Sequence, residues 1–127
     1  MKNTLIVFVC FLLASCSLGS ENTCRGSAVT YIAQATGPRT SRVNEDVKFT
    51  VSFAAENSCG KFDKFIQERV GDSVKVALSV NYDGCVCTQV AVPIQADYTF
   101  KPTQPGTYYL KFLSGQTTYL VDTLTVQ

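Results

Sequence analysis

Four cysteines carry the most reactive side chains of the chain: Cys24, Cys59, Cys85 and Cys87. Thiolates bind soft metals and exchange disulfides, so three chemistries are open to them. One is a four-thiolate zinc site. Cys85 and Cys87, with only Val86 between them, would put both sulfurs on one face of an extended strand, where they could meet Cys59 and Cys24. Structural zinc favours two to four residues between paired ligands, so this spacing is short by one. The second is a redox pair, and the third is plain structural disulfides.

Other chemistries find little to work with. There is no histidine, which removes Ser-His-Asp and Cys-His catalysis in their usual form and the commonest acid–base group. No phosphate-cradling glycine loop and no Gly-x-Ser-x-Gly turn occurs. A carboxylate pair could hydrolyse a glycoside. However, Glu45, Asp46, Asp63 and Asp97 fall in turns or at strand ends, where acids are ordinarily solvated. Asn44, Glu45 and Asp46 form the only dense oxygen-ligand cluster, and they read better as the start of a strand than as a calcium loop. The expectation is no enzyme, no catalytic residue, no metal and no cofactor.

The start of the chain decides which thiol chemistry is favoured. Lys2 precedes an unbroken apolar run at residues 5–13, too short to span a bilayer and suited to the core of a secretory signal. The run ends in Leu13-Ala14-Ser15-Cys16. This resembles the lipobox of bacterial lipoproteins. The resemblance implies cleavage just before Cys16 and a diacylglyceryl group on its thiol. Residues 1–15 would be a type II signal peptide and residues 16–23 a polar tether. The implied address is the bacterial cell envelope, lipid-anchored at the outer membrane. Which face it occupies stays open. Stable anchoring takes two or more acyl chains, which the implied modification supplies. The competing reading is a type I signal cut slightly later, after Gly19.

Outside the cytoplasm an even cysteine count favours disulfides. A bond from Cys85 to Cys87 would close a tiny strained ring and ranks last. If a hairpin turns at Gly71 and Asp72, Cys59 and Cys85 meet near its open end. The expected pairing is therefore Cys59–Cys85 with Cys24–Cys87, ahead of Cys59–Cys87.

The elements that hold these residues are strands. Val47, Phe49, Val51 and Phe53 alternate with Lys48, Thr50 and Ser52. Val74, Val76, Leu78, Val80 and Tyr82 form a second such set, and Tyr108, Leu110 and Phe112 a third. A period of two with one polar side predicts antiparallel sheet with a wet face. Turn signals separate the sets: Gly37-Pro38, Gly71-Asp72, Asp83-Gly84, residues 102–106 and Ser114-Gly115. The first strand is expected at residues 28–35 and the last at residues 118–126. In the last, Asp122 shares a face with Leu120 and Leu124, so a bulge or a bond to a neighbour is expected there. Residues 62–70 carry apolar groups at helix-like spacing, yet they lie between turns and read as a strand.

Seven or eight short strands over residues 24–127 predict an all-β, two-sheet antiparallel sandwich. Gly106-Thr107-Tyr108-Tyr109-Leu110 resembles the tyrosine corner of immunoglobulin-like domains. That likeness implies a buried Tyr108 ring with its hydroxyl bonded to nearby backbone. Leu110 stands where that family has a cysteine, and no tryptophan exists, so the likeness is to the broad class and not to antibodies. The chain as a whole is similar to small lipid-anchored immunoglobulin-like proteins of bacterial envelopes.

Without Lys2 the basic and acidic side chains balance, and no basic stripe is present, so nucleic acid is not an expected partner. Binding remains. Loops at sandwich ends carry recognition, and the candidates are Arg39 and Arg42 in residues 37–44 and Tyr119 after the last hairpin tip. Two functions are thus in play. One is a non-catalytic envelope lipoprotein whose sandwich binds a protein or a glycan. The other is a thiol-based redox or metal-handling lipoprotein using Cys59, Cys85 and Cys87.

Overall fold

The computed structural model describes residues 24–127, so the leader, the lipid site at Cys16 and the tether lie outside the described residues. Nine strands follow in chain order: β1 (Arg25–Thr30), β2 (Ile32–Thr36), β3 (Thr40–Ser41), β4 (Val47–Ala55), β5 (Gly60–Val70), β6 (Ser73–Asp83), β7 (Val92–Phe100), β8 (Gly106–Leu113) and β9 (Tyr119–Val126). They form two sheets with no helix among the described residues, so the all-β sandwich stands. One sheet has six strands, ordered β1-β6-β8-β9-β3 with β5 also on β6; the other is β2-β4-β7.

The six-stranded sheet is organised by β6. Its whole length pairs with β5 on one edge. On the other edge β1 takes Leu78–Asp83 and β8 takes Ser73–Val76. The β6–β8 and β3–β9 pairs are parallel, where only antiparallel pairing was expected. A strand can be shared in this way because β6 has 11 residues and each neighbour needs only part of it.

The alternation seen in the sequence becomes the core. Val47, Phe49, Val51, Phe53 and Ala55 of β4 are buried, and so are Val74, Val76, Leu78 and Val80 of β6. Aromatic rings chain from the core through the exposed Phe62 and back: Phe53 to Phe62 (6.0 Å between centroids), Phe62 to Phe65 (4.9 Å), Phe65 to Tyr98 (5.3 Å) and Tyr98 to Phe112 (5.9 Å). Tilted and edge-on contacts at these distances suit the ring quadrupoles. Gly37 is set by this packing. A Cβ there would lie 2.3 Å from the ring of Phe49.

The first strand needed changing. The expected first strand at residues 28–35 is two strands in different sheets. Thr30 pairs with Leu78 in one sheet and Ile32 with Phe53 in the other, so the chain crosses the sandwich at Tyr31. The crossing lets Ile32 enter the core while Val29 stays outside. At Asp122 the second expected outcome holds: β8 and β9 stay in register with no bulge, and the Asp122 carboxylate accepts the neighbouring Thr123 amide at 3.0 Å. The segment at residues 62–70 is a strand as expected, and its helix-like spacing has a simple cause. A register shift between Phe62 and Lys64 adds one residue, so Phe62 opposes Val80 and Phe65 opposes Leu78, and both face the core.

Candidate functional site

The two disulfides are Cys24–Cys85 and Cys59–Cys87. This corrects the expected Cys59–Cys85 and Cys24–Cys87. The reason lies in β6 having two neighbours. Arg25 opposes Asp83, which carries Cys24 to the residue just past β6, and the Gly84 amide donates to the Cys24 carbonyl at 2.9 Å. Two residues later the chain reaches the β4–β5 loop. There the Thr88 amide donates to the Ser58 hydroxyl at 2.8 Å and the Ser58 amide to the Thr88 carbonyl at 3.0 Å, which sets Cys87 beside Cys59. Residues 84–91 are not strand, so Cys85 and Cys87 do not share a strand face. Gly84 has φ of 143° and a Cβ there would come 2.8 Å from Cys59 Sγ, so only glycine passes between the bonds. Among the described residues no group of three or more His, Cys, Asp or Glu is placed to hold a metal.

Arg39, Arg42 and Tyr119 are not brought together. Arg42 lies at the opposite end from the disulfides, in a polar depression with Glu45 and Gln127; its amide donates to the Glu45 carboxylate at 3.3 Å. Arg39 lines a groove of about 280 Å³ along the seam between β2 and β9, with Phe112, Leu120 and Asp122. Asp122 opposes Leu110 and so takes an inward-facing position of β9, yet the seam leaves it half-buried. Its carboxylate accepts the Thr123 amide at 3.0 Å.

Tyr119 belongs to a different surface, the outer face of the six-stranded sheet. Registers place Ile66 beside Ala77, Glu68 beside Lys75, Lys111 beside Val121, and Leu113 beside Tyr119. Val121 is 59% exposed and Ile66 43%, and Val29, Val70, Tyr109 and Tyr119 are exposed with them. Ile66, Ala77, Leu113 and Tyr119 line a shallow depression of about 140 Å³, with Lys75 and Glu68 at its rim 4.0 Å apart. The outer face of the other sheet is polar by contrast. There Lys48 opposes Thr99, Thr50 bonds Asp97 at 3.3 Å, and Gln95 bonds Ser52 at 3.2 Å. Sequence reading picked out only Tyr119 here. Ile66 and Val70 read only as part of a strand with helix-like spacing, with no face assigned, and the shared face of Leu120, Asp122 and Leu124 leaves Val121 on the other side of β9.

The carboxylates considered for hydrolysis are scattered. Asp46 sits 3.8 Å from Lys101 at one end, Asp63 lies at the β5 register shift, and Asp97 is on the polar outer face. One titration stands out. Burial pushes the Tyr98 hydroxyl up to about 12, and that hydroxyl donates to the side-chain oxygen of Gln67 at the edge of the core. Tyr108 behaves as the tyrosine-corner likeness implies: its ring is buried and its hydroxyl donates to the Gln104 carbonyl at 2.8 Å. The Arg69 guanidinium lies 5.2 Å from the centre of that ring.

A family model described as the ORF11 beta-sandwich domain matches residues 49–125, from within β4 into β9. No curated protein and no solved structure matches the chain.

Proposed function

The chain belongs to the ORF11 beta-sandwich domain family, and from that premise we propose that it is a non-catalytic lipoprotein, anchored through Cys16 in a bacterial envelope, whose six-stranded sheet docks another protein. One observation carries the binding reading: the outer face of that sheet exposes large apolar side chains among its charged ones, and the outer faces of β4 and β7 expose none. Val121 leaves 59% and Ile66 43% of its surface in water, apolar area that the monomer itself does not cover. Contiguous apolar surface rimmed by charge marks interaction sites. Aromatic anchors such as Tyr109 and Tyr119 are the residue types enriched in interface hot spots. A flat sheet face suits a protein surface better than a sugar, which takes a concave site. The seam groove and the loop at Arg42 are separate, lesser candidates.

The reading is tested in two steps. Intact mass of protein extracted from membranes is expected to begin at Cys16 with acyl chains added. No alkylation is expected before reduction, and four thiols after it. An unlipidated start removes the anchor; free thiols in the native protein favour the thiol-based alternative at Cys59, Cys85 and Cys87. Cross-linking in cells then compares the native chain with Val121→Glu and Tyr119→Glu, using Thr50→Glu on the polar face as control. Loss of a cross-linked partner in the first two alone supports docking, and equal behaviour of all three refutes it.

A further inference from the structure

We propose that the disulfide-bonded end of the sandwich rests on the lipid bilayer, with Val86 as its contact tip; this rests on the reading of Cys16 as the lipid site. The chain enters the domain at Cys24, which is bonded to Cys85, so the point of attachment and the tip are neighbours. Val86 follows directly and is 96% exposed, and Val90 in the same loop is 60% exposed. The bonds at Cys85 and Cys87 flank Val86 on both sides, so the loop cannot fold it away. An apolar side chain held outward by two covalent ties gains nothing within the domain. It gains by entering the headgroup–acyl boundary.

Distances favour this orientation. Cys16 and Cys24 are eight residue steps apart, which limits the tether to about 28 Å at full extension. The 11 residues of β6 run about 36 Å at ~3.3 Å each. The far end, with Arg42 and Glu45, therefore cannot turn to face the bilayer, because that would lift Cys24 beyond the reach of its anchor. Charge around the tip is balanced: Arg25 pairs with Asp83 at 3.0 Å, and Glu56 and Lys61 flank the β4–β5 loop. The contact is thus apolar and indifferent to lipid charge. Tethering makes a weak contact sufficient, because the anchored tip is always close to the surface.

The chain contains no tryptophan, so a single introduced one reports its own surroundings. Val86→Trp, Val121→Trp and Val70→Trp are made in the full lipidated protein. Each is reconstituted into phosphatidylcholine vesicles with and without brominated acyl chains. The expected result is a blue shift and loss of most emission to the brominated chains for Val86→Trp. Val121→Trp and Val70→Trp should be unchanged. If the protein floats with vesicles and its mass shows acyl chains, yet Val86→Trp is unquenched, bilayer docking is overturned and the anchor survives. Quenching at Val121→Trp in place of Val86→Trp overturns it in favour of a domain lying on its sheet face. A protein without acyl chains that fails to float overturns the anchor and this inference with it.

Discussion

The disulfide pairing yields a quantitative prediction. Removing Cys59–Cys87 by Cys59→Ser with Cys87→Ser opens a loop of 28 residues, and removing Cys24–Cys85 opens one of 61. Loop-closure entropy assigns these about 3.5 and about 4.3 kcal/mol of stabilisation. The loops overlap across residues 59–85, so the losses are not additive. With a total stability of about 5–15 kcal/mol expected for a domain of this size, removal of both bonds is expected to leave the domain marginal or unfolded. The assay is urea unfolding of the two double variants under non-reducing conditions, beside thiol counting after denaturation. Each double variant should show no free thiol, because the remaining pair is a native bond. Two free thiols in the Cys24→Ser, Cys85→Ser protein would refute the pairing itself. A midpoint unchanged from that of the native protein would refute the entropic reasoning, since neither bond would then constrain the unfolded chain.

Three further expectations come from the core and the seam. Gly37→Ala places a methyl 2.3 Å from the Phe49 ring and should destabilise by about 1–3 kcal/mol in the same unfolding assay. Tyr98 is raised from 10.0 to about 12 by burial, so above pH 10 the unfolded chain loses a proton that the native one keeps. Stability contributed by this group is complete below pH 10 and falls as pH rises towards 12, by at most ~1.4 kcal/mol per pH unit. Absorbance at the tyrosinate band should show one of the six tyrosines ionising late, and simultaneous ionisation of all six in the folded protein would contradict this. Asp122→Leu extends the apolar row of Leu120 and Leu124 into the seam and should raise stability by about 1 kcal/mol, read as a higher urea midpoint.

Much of the fold was legible because one-sided strands advertise themselves. The sets in β4, β6 and β8 reached the core as read, and the turns at Gly71-Asp72 and Asp83-Gly84 fell where glycine permits positive φ. What stayed hidden was non-local. Period-two patterning identifies a strand but not its neighbours, so nothing in Ser73–Asp83 announced that three strands would share it. That same sharing decided the cysteine pairing. A hairpin drawn with one partner for β6 sends Cys85 to Cys59, whereas a second partner, β1, claims Cys85 first. Gly84 was a usable signal, since a glycine set directly before two half-spaced cysteines marks a place where a Cβ would not fit. The exposed apolar positions on the outer sheet face were hard to read for another reason. Ile66 and Val70 are the residue types of a core, and only the register shift in β5 shows that they point outward.

The apolar face can therefore be separated experimentally from the core it resembles in sequence. Val121 opposes Lys111 and Ile66 opposes Ala77, all on the solvent side, while Leu110 and Val76, one residue away, are fully buried. A polar substitution at Leu110 removes packing and leaves an unpaired group inside, a change that commonly costs several kcal/mol. The same substitution at Val121 removes apolar surface from water and should leave folding nearly unchanged. Strand propensity and cross-strand pairing favour Val, Ile and Tyr at outer positions only modestly, and solubility works against apolar groups there. Their exposure, at 59% for Val121 and 43% for Ile66, is the physical reason for proposing this sheet face, ahead of the loops, as the docking surface.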